Sequence, residues 1–277
     1  MVLDEDQLEG LHLVQLTMAD EVKRICERYQ INYFLVAGSA LGAVRHQGFI
    51  PWDDDIDFGM MRVDYDKFLF HAQNDLKPIF SIQTWNINSA FALPFAKLHR
   101  NDSKFVEPAV AEIGTHKGIY IDIFPFDAVP DQSFLRMLHM GQLELLRQVI
   151  MARAGYFQNS DAGFFSRLIR KLASRVSVFW SFQSMVGIHE RVSRYFNGRV
   201  SKMVTAIGGS YGYRRETITR AWTEELCPAN FENNVFPVFE DVDSYLRNLY
   251  GNYDILPPLE ARYGRHRIIE FQLPSKP

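Results

Sequence analysis

Apolar residues recur at three- and four-residue spacing from about residue 7 to 30, through Leu8, Leu11, Met18, Val22 and Ile25. That period predicts an amphipathic helix. Tyr33-Phe34-Leu35-Val36-Ala37 is a short apolar run and predicts a strand. Gly38-Ser39 breaks it, a helix is expected to start over 40–45, and His46-Gln47-Gly48 reads as a turn. Residues 50–60 predict a second strand, although four carboxylates lie within it. Residues 63–73 predict a helix with Asp64 and Asp66 near its start, where the helix dipole favours acids. Further strands are expected over 80–85, 94–99 and 119–124. The pattern from about 133 to 197 is mainly helical, broken near 155–163. Residues 208–212 read as a loop, and a last helix is expected over 242–250. Strands interleaved with helices predict an α/β (α+β) class, divided as a core over 1–130, a helical basic region over 131–205 and a C-terminal segment over 206–277 that completes the site.

Composition adds little to this picture and removes several alternatives. The 277 residues are 47% hydrophobic, 23% charged and 14% aromatic, which allows one large core or two interleaved ones. Two cysteines, Cys26 and Cys227, are too few for a disulfide framework or a four-cysteine zinc site, so a reducing compartment is expected. The first sixteen residues lack the basic start of a secretory signal. No apolar run is long enough to span a membrane.

Charge is unevenly spread. Residues 147–202 hold ten Lys and Arg against Asp161 and Glu190, a surplus of +8 that leaves −11 for the remainder of the −3 chain. Phe164, Phe165, Leu168, Ile169, Phe179 and Trp180 lie in the same stretch. Two readings stand: contact with an anionic membrane surface, or a packed helical subdomain with solvated arginines. No nucleic-acid-binding motif is visible, so no nucleic-acid partner is expected.

The densest chemistry lies in Pro51-Trp52-Asp53-Asp54-Asp55-Ile56-Asp57. Carboxylates this close repel unless water or a cation lies among them. On a strand, Asp55 and Asp57 share one face about 7 Å apart, while Ile56 and Phe58 point into a core. Such a pair can hold magnesium, which prefers oxygen ligands and leaves positions for phosphate. Asp53 has the same parity and is a candidate helper; Asp54 is expected to point elsewhere. Upstream, Gly38 lets backbone approach a ligand, and Ser39 at a helix start offers a hydroxyl to phosphate. Downstream, Asp122 alternates with Ile121 and Ile123 and is the expected third carboxylate; a buried Lys or Arg partner is its competing explanation. Asp127, after Pro125, reads as a turn cap.

These residues carry a resemblance. The run from Ala37-Gly38-Ser39-Ala40-Leu41-Gly42 through Pro51-Trp52-Asp53-Asp54-Asp55-Ile56-Asp57, then Asp64-Tyr65-Asp66-Lys67-Phe68 and Ile121-Asp122-Ile123-Phe124-Pro125, resembles the LicD signature. Tyr245-Leu246, Tyr250-Gly251-Asn252-Tyr253, Pro257-Pro258, Arg262 and His266 resemble that family's closing segment. The family often has Thr at the position of Ser39. The basic middle region carries no such motif, and the cysteine cluster of fukutin-related protein has no counterpart.

The resemblance implies a nucleotidyltransferase-like mixed sheet with flanking helices and a helical insertion. LicD proteins move phosphocholine from CDP-choline to hydroxyls of surface glycans such as teichoic acid or lipopolysaccharide; fukutin and fukutin-related protein move ribitol phosphate from CDP-ribitol. For this chain it implies an enzyme that uses Mg2+ or Mn2+ and a glycan or lipid-linked glycan acceptor and releases CMP; a cytoplasmic location is expected from the cysteine usage, and a peripheral one at the inner face of the membrane follows if the basic region takes the first of its two readings. Asp53, Asp55, Asp57 and Asp122 would hold metal, with Asp122 alternatively the general base. Gly38, Ser39, Arg45, Lys97 and Arg100 would meet the donor phosphates, and Arg262 and His266 would close over them. For Arg45, a salt bridge to the acidic run is the competing expectation. Another CDP-alcohol donor, true nucleotidyl transfer, or a catalytically silent binding protein are the alternatives.

Overall fold

The computed structural model describes residues 2–156, 180–264 and 266–275. The described residues form helices α1 (Glu5–Tyr29), α2 (Ala37–His46), α3 (Arg62–Asp75), α4 (Ser133–Ala154), α5 (Phe182–Arg194), α6 (Tyr213–Glu216) and α7 (Val242–Tyr250). Eleven strands accompany them: β1 (Phe34–Leu35), β2 (Asp57–Met61), β3 (Phe80–Gln83), β4 (Ala96–Arg100), β5 (Lys104–Val106), β6 (Tyr120–Val129), β7 (Met203–Ala206), β8 (Thr217–Thr219), β9 (Leu226–Phe231), β10 (Asn234–Phe239) and β11 (Glu270–Gln272).

The first helix forms where its periodicity predicts. Asp4 caps it, with Gln7 closing a capping box, and Leu11, Val14, Met18, Val22 and Ile25 are buried along one face. The ten residues of β6 are buried throughout, so this strand is the spine of the molecule. β2 runs parallel to it, and β1 is antiparallel to β2. On the other edge, β4 pairs with the first half of β6 and β7 with the second half, both antiparallel. β3 and β8 extend the sheet beyond β4 and β7. The result is the nucleotidyltransferase-like mixed sheet with flanking helices.

Two local expectations are corrected. The strand expected over 50–60 begins only at Asp57, with a turn at Pro51-Trp52 and no regular structure over 53–56. The reason lies in α1: His12 Nε2 meets the Asp53 carbonyl at 2.8 Å, and Gln15 Nε2 donates to the Asp54 carbonyl at 2.9 Å. Those carbonyls are bound by side chains rather than by a ladder, so the strand parity assigned to Asp53, Asp55 and Asp57 does not hold. Ile56 and Phe58 are nonetheless fully buried, as expected. The break after β1 also shifts. Gly38 and Ser39 lie in the first turn of α2, and Ala37 takes the left-handed conformation, φ +47°.

The basic region begins with α4, which Gly155 ends in a left-handed cap, φ 86°. Residues 157–179 of that region lie outside the described residues. Residues 203–206, by contrast, enter the main sheet as β7. No described helix is long and apolar enough to cross a membrane.

Candidate active site

The register of three strands sets the centre of the site. Asp57 of β2 pairs with Asp122 of β6, and Asp122 pairs with Lys97 of β4. Paired residues share a face, so two carboxylates and an ammonium form a row across the sheet. All three are buried. Lys97 Nζ lies 3.0 Å from Asp122 Oδ1 and donates to Oδ2 at 3.4 Å. The same ammonium sits 3.2 Å from the centroid of the Tyr120 ring. Burial raises the Asp122 pKa, against the pull of Lys97. Asp57 is raised well above the carboxylate range by burial, then by Asp55, Asp122 and Asp53. No described residue forms an ion pair with Asp57.

The acidic loop beside this row is held from three sides. α1 holds its carbonyls through His12 and Gln15, and Gln15 Nε2 also reaches the Tyr120 carbonyl of β6 at 3.2 Å. Asp53 places its carboxylate against Gly38 at the start of α2, where a Cβ on residue 38 would lie 2.5 Å from Oδ2. Close approach, not a turn, is therefore what Gly38 permits. Asp54 is buried and accepts from the His266 backbone N–H at 3.1 Å, with His266 Nδ1 at 2.8 Å from Oδ1. Burial lowers the His266 pKa, but Asp54, Asp55 and Glu107 outweigh it and bring it to about 9. His266 is thus a cation near neutral pH. Ligand atoms of Asp54, Asp55 and His266 lie within 4.8 Å of one another.

The remaining candidates separate. Ser39 Oγ accepts from the Asp57 backbone N–H at 2.8 Å, so this hydroxyl orders the start of β2. Arg45 makes no ion pair with the acidic run. Its Nη1 donates to the Tyr253 carbonyl at 2.7 Å and its Nε to His46 at 2.9 Å. Arg262 Nε donates to the Pro257 carbonyl at 2.8 Å, and its guanidinium lies 5.3 Å from the centroid of the Trp52 ring. Burial, with Arg262 among the neighbouring charges, lowers the Arg45 pKa. Two guanidinium groups therefore stand near each other without carboxylate partners among the described residues.

Arg100 is not at this site. It lies three residues after Lys97 on β4, hence on the opposite face, and its Nε donates to Asp102 at 2.6 Å. Asp127 is not a turn cap. It is fully buried on β6, on the face opposite Asp122, and accepts from Arg62 Nε at 2.8 Å and Asn197 Nδ2 at 2.6 Å.

Sequence reasoning missed Gln15, which interrupts the apolar face of α1; a polar residue on a buried stripe was the available signal. It also missed Tyr245, whose hydroxyl accepts from the Ala37 N–H at 2.8 Å. No local pattern announces a contact across 208 residues.

Residues 30–142 match the nucleotidyltransferase domain described as LicD/FKTN/FKRP. Over 261 residues the chain is 24% identical to the lipopolysaccharide cholinephosphotransferase LicD of Haemophilus influenzae, covering 94% of this chain and 96% of that protein. An uncharacterized protein of Rickettsia prowazekii is 31% identical over 105 residues, 35% of this chain and 37% of that one. The acidic loop, Asp122 and Lys97 all lie inside residues 30–142, the stretch that is similar to that domain.

Proposed function

We propose that this protein transfers phosphocholine from CDP-choline to a glycan hydroxyl of the lipopolysaccharide or teichoic acid type, releasing CMP. The observation that carries the reading is the row Asp57–Asp122–Lys97, set by strand register, with Asp55 close enough to act on Asp57. Near full-length similarity to a lipopolysaccharide cholinephosphotransferase supports the choice of transferred group.

Asp57 is the carboxylate that most needs a cation, although the described ligand atoms that converge within 4.8 Å are those of Asp54, Asp55 and His266. Asp57 is buried, crowded by Asp53, Asp55 and Asp122, and without a cationic partner among the described residues. Asp55, Asp57 and Asp122 would hold Mg2+ or Mn2+, with Asp53 beside them. A bound divalent ion would supply neutralisation of the diphosphate and of the charge that develops on departing CMP. Arg45 and Arg262 are cations available to the donor phosphates. The acceptor hydroxyl oxygen bonds to the phosphorus that carries choline, and the bond from that phosphorus to the bridging oxygen breaks, with its electron pair leaving on CMP. The hydroxyl proton passes to a carboxylate oxygen of Asp122, which burial makes more basic than an exposed carboxylate; metal ligation is its competing role. Lys97 holds Asp122 in place.

The acceptor class also supports contact with an anionic membrane. α4 buries His139, Leu143 and Ile150 and exposes Phe134, Leu138 and Leu145 on the other side, ahead of the basic stretch.

Incubation with CDP-choline, Mg2+ and a glycan acceptor is expected to yield CMP, and a chelator to stop it. Pyrophosphate release from a nucleoside triphosphate would instead indicate nucleotidyl transfer. CMP from CDP-ribitol but not from CDP-choline would reassign the alcohol. Mn2+ binding separates the two roles of Asp122: Asp122→Asn keeps binding if Asp122 is the base and loses it if Asp122 is a ligand.

A further inference from the structure

Beside Asp122 and Lys97 the site opens into a cavity of about 220 Å3. Its wall includes the rings of Phe91, Phe95, Phe105, Tyr120 and Tyr156 and the carboxylate of Glu107. Phe91 and Phe105 are 2% and 3% exposed, so the wall is part of the packed interior. Glu107 accepts from the Tyr120 hydroxyl at 3.0 Å. No Lys, Arg or His lies within ion-pair distance of it among the described residues. Lys97 and Asp122, which share the cavity, form an ion pair at 3.0 Å.

Lys97, His99, His116 and His266 also line the cavity, and Glu107 helps to hold the His266 charge without pairing with it directly; a carboxylate placed among ring faces in this way has a specific chemistry. A quaternary ammonium group cannot donate conventional hydrogen bonds, so ring faces and one anion are what attract it. A sugar alcohol would lose hydrogen bonds to water against the same rings. The volume is below the roughly 300 Å3 at which ligand pockets begin. It suits a small headgroup and excludes a whole nucleotide. Its position is also apt, because a headgroup placed here has its phosphate toward Asp122.

We propose that this cavity is the subsite for the donor's trimethylammonium group, with Glu107 and the surrounding rings selecting choline over uncharged alcohols. The proposal rests on the phosphocholine-transfer reading above.

Glu107→Gln tests it, because the amide oxygen still accepts from Tyr120 while the charge is lost. The KM for CDP-choline is expected to rise about tenfold, with kcat changed by less than about twofold. Tetramethylammonium is expected to compete with CDP-choline in the wild-type protein and to do so more weakly in the variant. Phe91→Leu, checked for folding by thermal melting, is expected to raise the same KM. Unchanged KM and unchanged tetramethylammonium inhibition in Glu107→Gln would overturn the subsite. If the wild-type protein releases no CMP from any CDP-alcohol, the transfer reading fails instead. The subsite is then judged by calorimetric titration with phosphocholine, which Glu107→Gln must weaken.

Discussion

Asp57 and Asp122 face each other across paired strands, and burial denies both the acidity of an exposed carboxylate. A fold tolerates that arrangement at a cost to its own stability, which is why it marks a site. Asp57→Asn removes a buried like charge and keeps the shape. CMP release is expected to fall about 100-fold or more, while the melting temperature stays level or rises. Full activity in that variant would remove Asp57 from the metal site. A second buried acid lies away from this chemistry. Burial pushes the Glu216 carboxyl from 4.5 up to about 7, against the pull of the Tyr211 N–H. The folded chain therefore keeps a proton that the unfolded chain releases. The stability this provides is complete below about pH 4.5 and is lost as pH rises through about 7, roughly 3 kcal/mol in all. Melting from pH 5 to pH 8 is expected to show a smaller fall for Glu216→Gln than for the parent. Equal falls would show that this carboxyl does not set the dependence.

At the scale of elements, α1 and α4 solve opposite problems. α1 turns its whole apolar stripe inward and uses His12 and Gln15, on or beside that stripe, to hold the acidic loop. α4 buries a narrow face and leaves Phe134, Leu138 and Leu145 in contact with solvent, at spacings that return to one side of a helix. With the basic surplus of 147–202, that stripe suits the surface of an anionic bilayer. The protein is expected to co-sediment with phosphatidylglycerol vesicles at low salt and to be released at high salt. Leu138→Glu with Leu145→Glu is expected to weaken that binding about tenfold. Retention of the double variant on vesicles would assign the contact to another face.

For the whole molecule, the C-terminal part returns to the beginning of the site. Tyr245 of α7 holds the N–H of Ala37, and His266 holds Asp54. Ala37 adopts a conformation that side chains disfavour, so its geometry needs that support. Tyr245→Phe is expected to cost about 1–3 kcal/mol and to lower both the melting temperature and the rate of CMP release. Adding Ala37→Gly is expected to restore part of both, because glycine takes positive φ freely. A single variant as stable as the parent would show that the contact is incidental. What the sequence determined by itself is what local period and composition control. Long periodic segments such as 5–29, 62–75 and 242–250 form helices close to where they are expected. An acidic run set against Ile56 and Phe58, with Asp122 between Ile121 and Ile123, marks the candidate site because buried charge is costly wherever it lies. Partnership was decided only by the tertiary structure. Strand register seats Lys97 on Asp122 and turns Arg100 away, and it splits Asp122 and Asp127 between faces. Contacts across more than two hundred residues join Asp54 to His266 and Ala37 to Tyr245. Periodicity reports which side of an element is buried, whereas pairing depends on which element arrives there and in what register.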